Sequence, residues 1–122
     1  MRISNREFLG ELRRYYENDV FSPCLGVIIT DLIGKTGSRK NFKDYSYLDE
    51  MKGYALERCI NAVATKKFDI NTRKNPVSYF YSTIYNSFLK YIKKEKQLTI
   101  AKKAAYEQEL ERIERIRNGT PH

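Results

Sequence analysis

The chain has 122 residues and a mass of 14.4 kDa, enough for one domain with one modest core. Lys and Arg number 23 against 15 Asp and Glu, giving a net charge of +8 and a pI near 9.5. That excess needs an anionic partner or a solvated basic surface, and nucleic acid is the leading partner class. No apolar run approaches the roughly 18 residues of a membrane-crossing helix, and MRISNREFLGELRR lacks the apolar centre of a secretory signal. Cys24 and Cys59 fit no zinc or redox spacing, as in a small reduced cytosolic protein, and the only histidine is His122, which argues against histidine acid–base chemistry.

The patterns are helical throughout, with no period-2 segment and no internal repeat. A first helix is predicted over 5–18: Ser4 and Glu7 form a capping box, Ile3 and Phe8 a hydrophobic staple, and Phe8, Leu12 and Tyr15/Tyr16 share a face. A second is predicted over 23–33, capped by Ser22 with Pro23 in its first turn and ended by Gly34. Leu25, Val27, Ile28, Ile29, Leu32 and Ile33 make it apolar nearly all round, hence central. Residues 34–46, GKTGSRKNFKDYS, read as a basic loop. Gly34-Lys35-Thr36 resembles the end of a phosphate-binding loop, but position 29 is Ile and the triplet closes a helix instead of opening one, which argues against nucleotide binding.

A third helix is predicted over 47–67, capped by Ser46 with Asp49 three residues on. Leu48, Met51, Ala55, Cys59 and Ala62 form its stripe, widened by Leu56, Ile60 and Val63. Its charges are balanced towards acid: over 41–65, Lys43, Lys52 and Arg58 stand against Asp44, Asp49, Glu50 and Glu57, a net −1.

The fourth helix starts at Asn75-Pro76 and meets no Gly or Pro until Gly119, so helix is expected to about 95 and on towards 117. At roughly 100° per residue, Val77, Phe80, Tyr81, Ile84, Phe88, Tyr91 and Ile92 fall in one sector, a core stripe. The opposite sector carries Tyr79, Ser82, Thr83, Asn86, Lys90, Lys93 and Lys94. Lysines neutralise phosphates, Asn and Thr bond base edges, and a tyrosine ring takes an unstacked base. Over 90–103, Lys90, Lys93, Lys94, Lys96, Lys102 and Lys103 stand against Glu95, a net +5. An acidic strip beside a basic one implies two partners, a basic protein surface and a nucleic acid.

The stretch Lys67-Phe68-Asp69, Asn75-Pro76-Val77-Ser78-Tyr79-Phe80-Tyr81 and Tyr85-Asn86-Ser87-Phe88-Leu89-Lys90-Tyr91-Ile92-Lys93-Lys94-Glu95-Lys96 resembles the region-two core of bacterial sigma factors. It is most similar to the late-gene sigma factors of T-even-type bacteriophages and cyanophages. EMKGYALERCINAV is similar to the helix by which that family docks on RNA polymerase, and the resemblance covers residues 41–103, about half the chain.

The resemblance implies an all-α fold of about four helices with a long C-terminal helix. It gives a region-two-like domain over 1–103 and a charged helical extension over 104–122. It implies no enzymatic activity, no cofactor and no metal. Asp49, Glu50, Gly53 and Glu57 would meet the clamp coiled coil of the largest subunit of bacterial core RNA polymerase. Tyr79, Ser82, Thr83, Asn86, Lys90, Lys93, Lys94 and Lys96 would meet promoter DNA at a melted A/T-rich −10 element. A phage co-activator and the sliding clamp are further partners of such a factor, no membrane is involved, and the site of action is the host bacterial cytoplasm at the nucleoid.

The chain departs from the family in three ways. The paired Trp of primary sigma factors reads Thr83-Ile84, the acidic-Gly pair of the docking helix reads Tyr54-Ala55, and the acidic, apolar clamp-binding tail is not visible in ELERIERIRNGTPH. Two other functions fit the same residues: a general single-stranded nucleic-acid binder, and a polymerase-binding adaptor or inhibitor.

Overall fold

A computed structural model describes residues 4–119, and the expected contact of Ile3 lies outside the described residues. These residues are all-helical, without strands: α1 (Asn5–Asn18), α2 (Pro23–Gly37), α3 (Leu48–Ala64) and α4 (Pro76–Arg117). The chain divides into two compact units, Met1–Lys90 and Tyr91–His122.

In the first unit α1 starts where a cap was expected, with the Ser4 hydroxyl accepting from the Arg6 and Glu7 amides. α2 starts at Ser22, whose hydroxyl accepts from the Leu25 amide 3.1 Å away. Gly34 does not end α2. The helix runs one turn further because Thr36 and Gly37 are buried there, and the Thr36 hydroxyl donates back to the Leu32 carbonyl at 2.8 Å. Burial outweighs the roughly 1 kcal/mol that a mid-helix glycine costs. α3 is capped by Tyr47 without a side-chain bond, so Ser46 does not serve as its cap; Asp49 and Glu50 lie instead in its first turn, where the helix dipole favours negative charge. α3 ends at Ala64 in a Schellman turn with Lys66 in the left-handed region, its amide reaching Val63 and that of Lys67 reaching Ala62.

The core is built from Phe8 and Leu12 of α1, Leu25, Ile28, Ile29, Leu32 and Ile33 of α2, Met51, Ala55, Cys59, Ala62 and Val63 of α3, and Phe80, Ile84 and Phe88 of α4. Two further members come from connections. Phe42 packs edge-on to Phe88 at 5.0 Å, so the expected basic loop is pinned at its middle. Phe68 lies 6.5 Å from Phe80 and 5.3 Å from Tyr79. Val27 and Ile60 do not join the core; they are 48% and 42% exposed, so α2 is covered on fewer sides than its composition implied. Burial pushes the Cys59 thiol up to about 12, which makes it an inert core side chain.

The Tyr16 hydroxyl donates to the Phe68 carbonyl at 2.9 Å, tying α1 to the α3–α4 connection. Burial raises the Tyr16 phenol above its ordinary range. A raised folded value means that the unfolded chain ionises first. This contribution is therefore complete below about pH 10 and lost as pH rises through the folded value. Tyr16→Phe is expected to cost about 1 kcal/mol at neutral pH and to flatten the alkaline fall in stability, measured by urea unfolding from pH 7 to 11. An unchanged midpoint and an unchanged alkaline slope would mean that the bond contributes nothing.

The second unit continues α4; in it Ile92 is buried, Tyr91 and Glu95 are half-buried, and every residue from Lys96 to Gly119 is exposed. Arg112 pairs with Glu109 at 2.6 Å and Arg115 with Glu111 at 3.9 Å along its surface.

Candidate nucleic-acid interface

α4 opens on Asn75, whose side-chain oxygen accepts from the Ser78 amide at 3.0 Å, with Pro76 following. The Asn5 side chain accepts from the Val77 amide at 3.0 Å and anchors this first turn to α1. With Phe80, Ile84 and Phe88 buried, helical geometry turns Ser82, Asn86 and Lys90 to solvent and leaves Tyr79 and Thr83 half-buried at the edge. Lys93, Lys94 and Lys96, in the second unit, are exposed.

Two grooves flank the first turn of α4 and share Asn75 and Ser78. One, of about 540 Å3, is lined by Phe68, Arg73, Lys74, Tyr79 and Ser82 as well. The other, of about 460 Å3, includes Lys35, Arg39, Val77 and Tyr81. Each holds a tyrosine ring covered by an arginine: Arg73 is 5.7 Å from the Tyr79 centroid and Arg39 is 4.9 Å from that of Tyr81. Arg73 is held by the turn before α4. There Asp69 accepts from the Asn71 amide and the Thr72 hydroxyl, bonds that keep its carboxyl below the usual carboxylate range, while the Arg73 amide reaches the Asp69 carbonyl.

Within the first unit Tyr79, Ser82, Thr83, Asn86 and Lys90 share one side of α4. Tyr79 is not a free ring. It leans on Phe68, sits edge-on to Phe80 at 5.1 Å and lies under the Arg73 guanidinium. Tyr81, expected in the core, is half-buried and lines the second groove. Arg39, Arg73 and Lys74 were not anticipated. The Arg73-Lys74 pair just before the Asn75-Pro76 start was a readable signal, whereas Arg39 reaches Tyr81 only through the fold.

No protein-family model matches the sequence. No curated protein matches it at a significant level either. The interface is therefore read from its own chemistry.

On α3, Asp49, Glu50, Gly53 and Glu57 are all exposed. Gly53 has open space at its Cβ position and lines an apolar groove of about 260 Å3 with Thr30, Ile33, Gly34, Lys52 and Leu56. Val27, three residues before Thr30, and Ile60, four after Leu56, extend the apolar character along both helices. Among the described residues no three His, Cys, Asp or Glu side chains gather as metal ligands, and no helix is long and apolar enough to cross a membrane.

Proposed function

We propose that the protein is a promoter-specificity factor of the bacteriophage late-gene sigma type. It docks on bacterial core RNA polymerase through α3 and holds the opened strand of an A/T-rich −10 element along the start of α4. The observation that carries this reading is the pair of grooves around the first turn of α4, each an arginine-covered tyrosine beside further cationic and amide groups. An unstacked base stacks on the paired ring and guanidinium there, and its phosphates find the neighbouring Arg and Lys groups. Duplex DNA presents no free base faces, so the grooves favour a strand already opened. Asn86 and Lys90 continue the polar face, and Lys93, Lys94 and Lys96 add charge on the second unit.

The α3 surface supplies the second half of the reading. An apolar groove lined by Lys52, Gly53 and Leu56, on a helix that also exposes Asp49, Glu50 and Glu57, suits a basic amphipathic helix such as one arm of a coiled coil. The factor has no catalytic role of its own and acts in the host bacterial cytoplasm at the nucleoid. A phage co-activator and the sliding clamp remain its proposed further partners.

The test is a pull-down with core polymerase followed by run-off transcription from a template with an A/T-rich −10 box. The wild-type protein is expected to bind core enzyme and to give a discrete transcript. Glu50→Lys is expected to weaken core binding about tenfold, or about 1.4 kcal/mol, because it places a cation against a basic partner. Core binding that blocks transcription would replace this reading with an inhibitor. Tight single-strand binding with no affinity for polymerase would replace it with a general strand binder.

A further inference from the structure

A small polar cleft of about 110 Å3 is lined by Arg58, Asn61, Ala62, Lys67, Tyr79 and Thr83, and shares only Tyr79 with the larger groove. We propose that this cleft binds one backbone phosphate of the strand whose neighbouring base lies on Tyr79; the inference rests on the strand-binding reading above and adds a site to it.

The argument starts from charge. The ionisable cations of the lining are Arg58 and Lys67, no carboxylate lines the cleft, and among the described residues neither cation makes an ion pair. Arg58 lies over the Tyr54 ring at 5.9 Å, which orients it without neutralising it. Lys67 is placed by the turn at the end of α3, where its amide is fixed to the Ala62 carbonyl at 3.1 Å. Thr83 donates its hydroxyl to the Tyr79 carbonyl at 3.2 Å, so it walls the cleft while Arg58, Asn61 and Lys67 supply the donors.

Size and position narrow the ligand. The small polar cleft, with two cations and an amide in its lining, suits a compact oxyanion. Tyr79 is the wall common to this cleft and the larger groove. A nucleotide strand is a ligand in which a flat ring and a compact anion are covalently joined. An acidic peptide offers the anion without the ring.

The test uses the full chain and an A/T-rich single strand with a fluorescent label, with and without core polymerase, and reads anisotropy across a salt series. Arg58 and Lys67 are both exposed, so Arg58→Gln/Lys67→Gln is expected to keep a wild-type circular dichroism spectrum. The double variant is expected to lose about tenfold in affinity at low salt for any base sequence. Its slope of log K on log salt should fall by about 0.7, the value for one phosphate of a single strand. Thr83→Leu, which fills the cleft and keeps both charges, should weaken binding in the same way. Replacing strand phosphates one at a time by uncharged methylphosphonates should reveal a single position that costs the wild type and costs the double variant nothing. Unchanged slope and affinity in the double variant, or a methylphosphonate penalty spread evenly along the strand, would overturn the phosphate site while leaving strand binding intact. A wild type that binds no strand, alone or with polymerase, would overturn both. Binding of an acidic peptide that is lost in the double variant while strand binding is unchanged would overturn the phosphate site and assign the cleft to a protein partner.

Discussion

Phe68→Ala is expected to destabilise the first unit by about 3–5 kcal/mol, the range for emptying a buried phenylalanine site. Phe68 is 1% exposed although it lies between α3 and α4, and its ring touches both Phe80 and Tyr79. Its carbonyl also accepts the Tyr16 hydroxyl, so the segment that carries it is tied to α1. The surrounding helices are fixed by other contacts and cannot collapse onto the vacated volume. A small domain with a total stability of roughly 5–15 kcal/mol would lose much of it, and its melting temperature would fall by roughly 20 °C. Thermal circular dichroism checks this. Phe68→Leu keeps most of the volume and should cost less than about 1.5 kcal/mol. If Phe68→Ala melts with the wild type, the residue is not part of the core.

The helices that could be read from sequence were those whose ends are set locally. Ser4, Ser22-Pro23 and Asn75-Pro76 satisfy free amides through their own side chains or lack one to satisfy, and α1, α2 and α4 begin there. Where tertiary burial decides, local signals misled. Gly34 reads as a stop, but the burial of Thr36 and Gly37 rewards another turn; Ser46 reads as a cap, but Tyr47 takes the position with no side-chain bond. Phe42 and Phe68 were invisible as core residues because they stand alone in polar segments without a period, and only chain reversal delivers them to α4. The outward residues of α3 and α4 were legible because the inward stripe dictates them once the helix is known. The arginines over Tyr79 and Tyr81 were not, since they arrive from connections whose paths the sequence does not encode locally.

The two charged surfaces of the first unit have different consequences for salt. On the proposed reading, the exposed carboxylates on α3 would steer a basic partner and be screened within about 10 Å at 0.1 M salt, so their effect would fall mainly on association rate. Lysines and arginines beside the α4 grooves would release counterions from a bound strand, and that effect would persist in the equilibrium constant. Raising salt should therefore slow core binding modestly and weaken strand retention steeply.

Tyr79→Ala/Asn86→Ala is expected to reduce run-off transcription by about 30- to 1,000-fold. Loss of a stacking ring is worth about 1–3 kcal/mol, and loss of an amide that bonds a base edge adds about 1 kcal/mol or more. The two effects can be separated because the two side chains differ in their structural duties. Asn86 is exposed on α4, so Asn86→Ala should leave the melting temperature unchanged and alter only base preference. Tyr79 is half-buried against Phe68 and Phe80, so Tyr79→Ala also removes packing and must be read beside Tyr79→Phe, which keeps the ring. If stacking is what Tyr79 contributes, Tyr79→Phe initiates within about threefold of wild type, while Tyr79→Ala fails even at temperatures where circular dichroism shows it folded. If Tyr79→Phe fails as badly as Tyr79→Ala, the hydroxyl carries the effect and the ring is not a base platform. A folded double variant that initiates as well as wild type would remove the larger groove from promoter binding and leave Tyr81, in the second groove, as the one ring through which the start of α4 could still act.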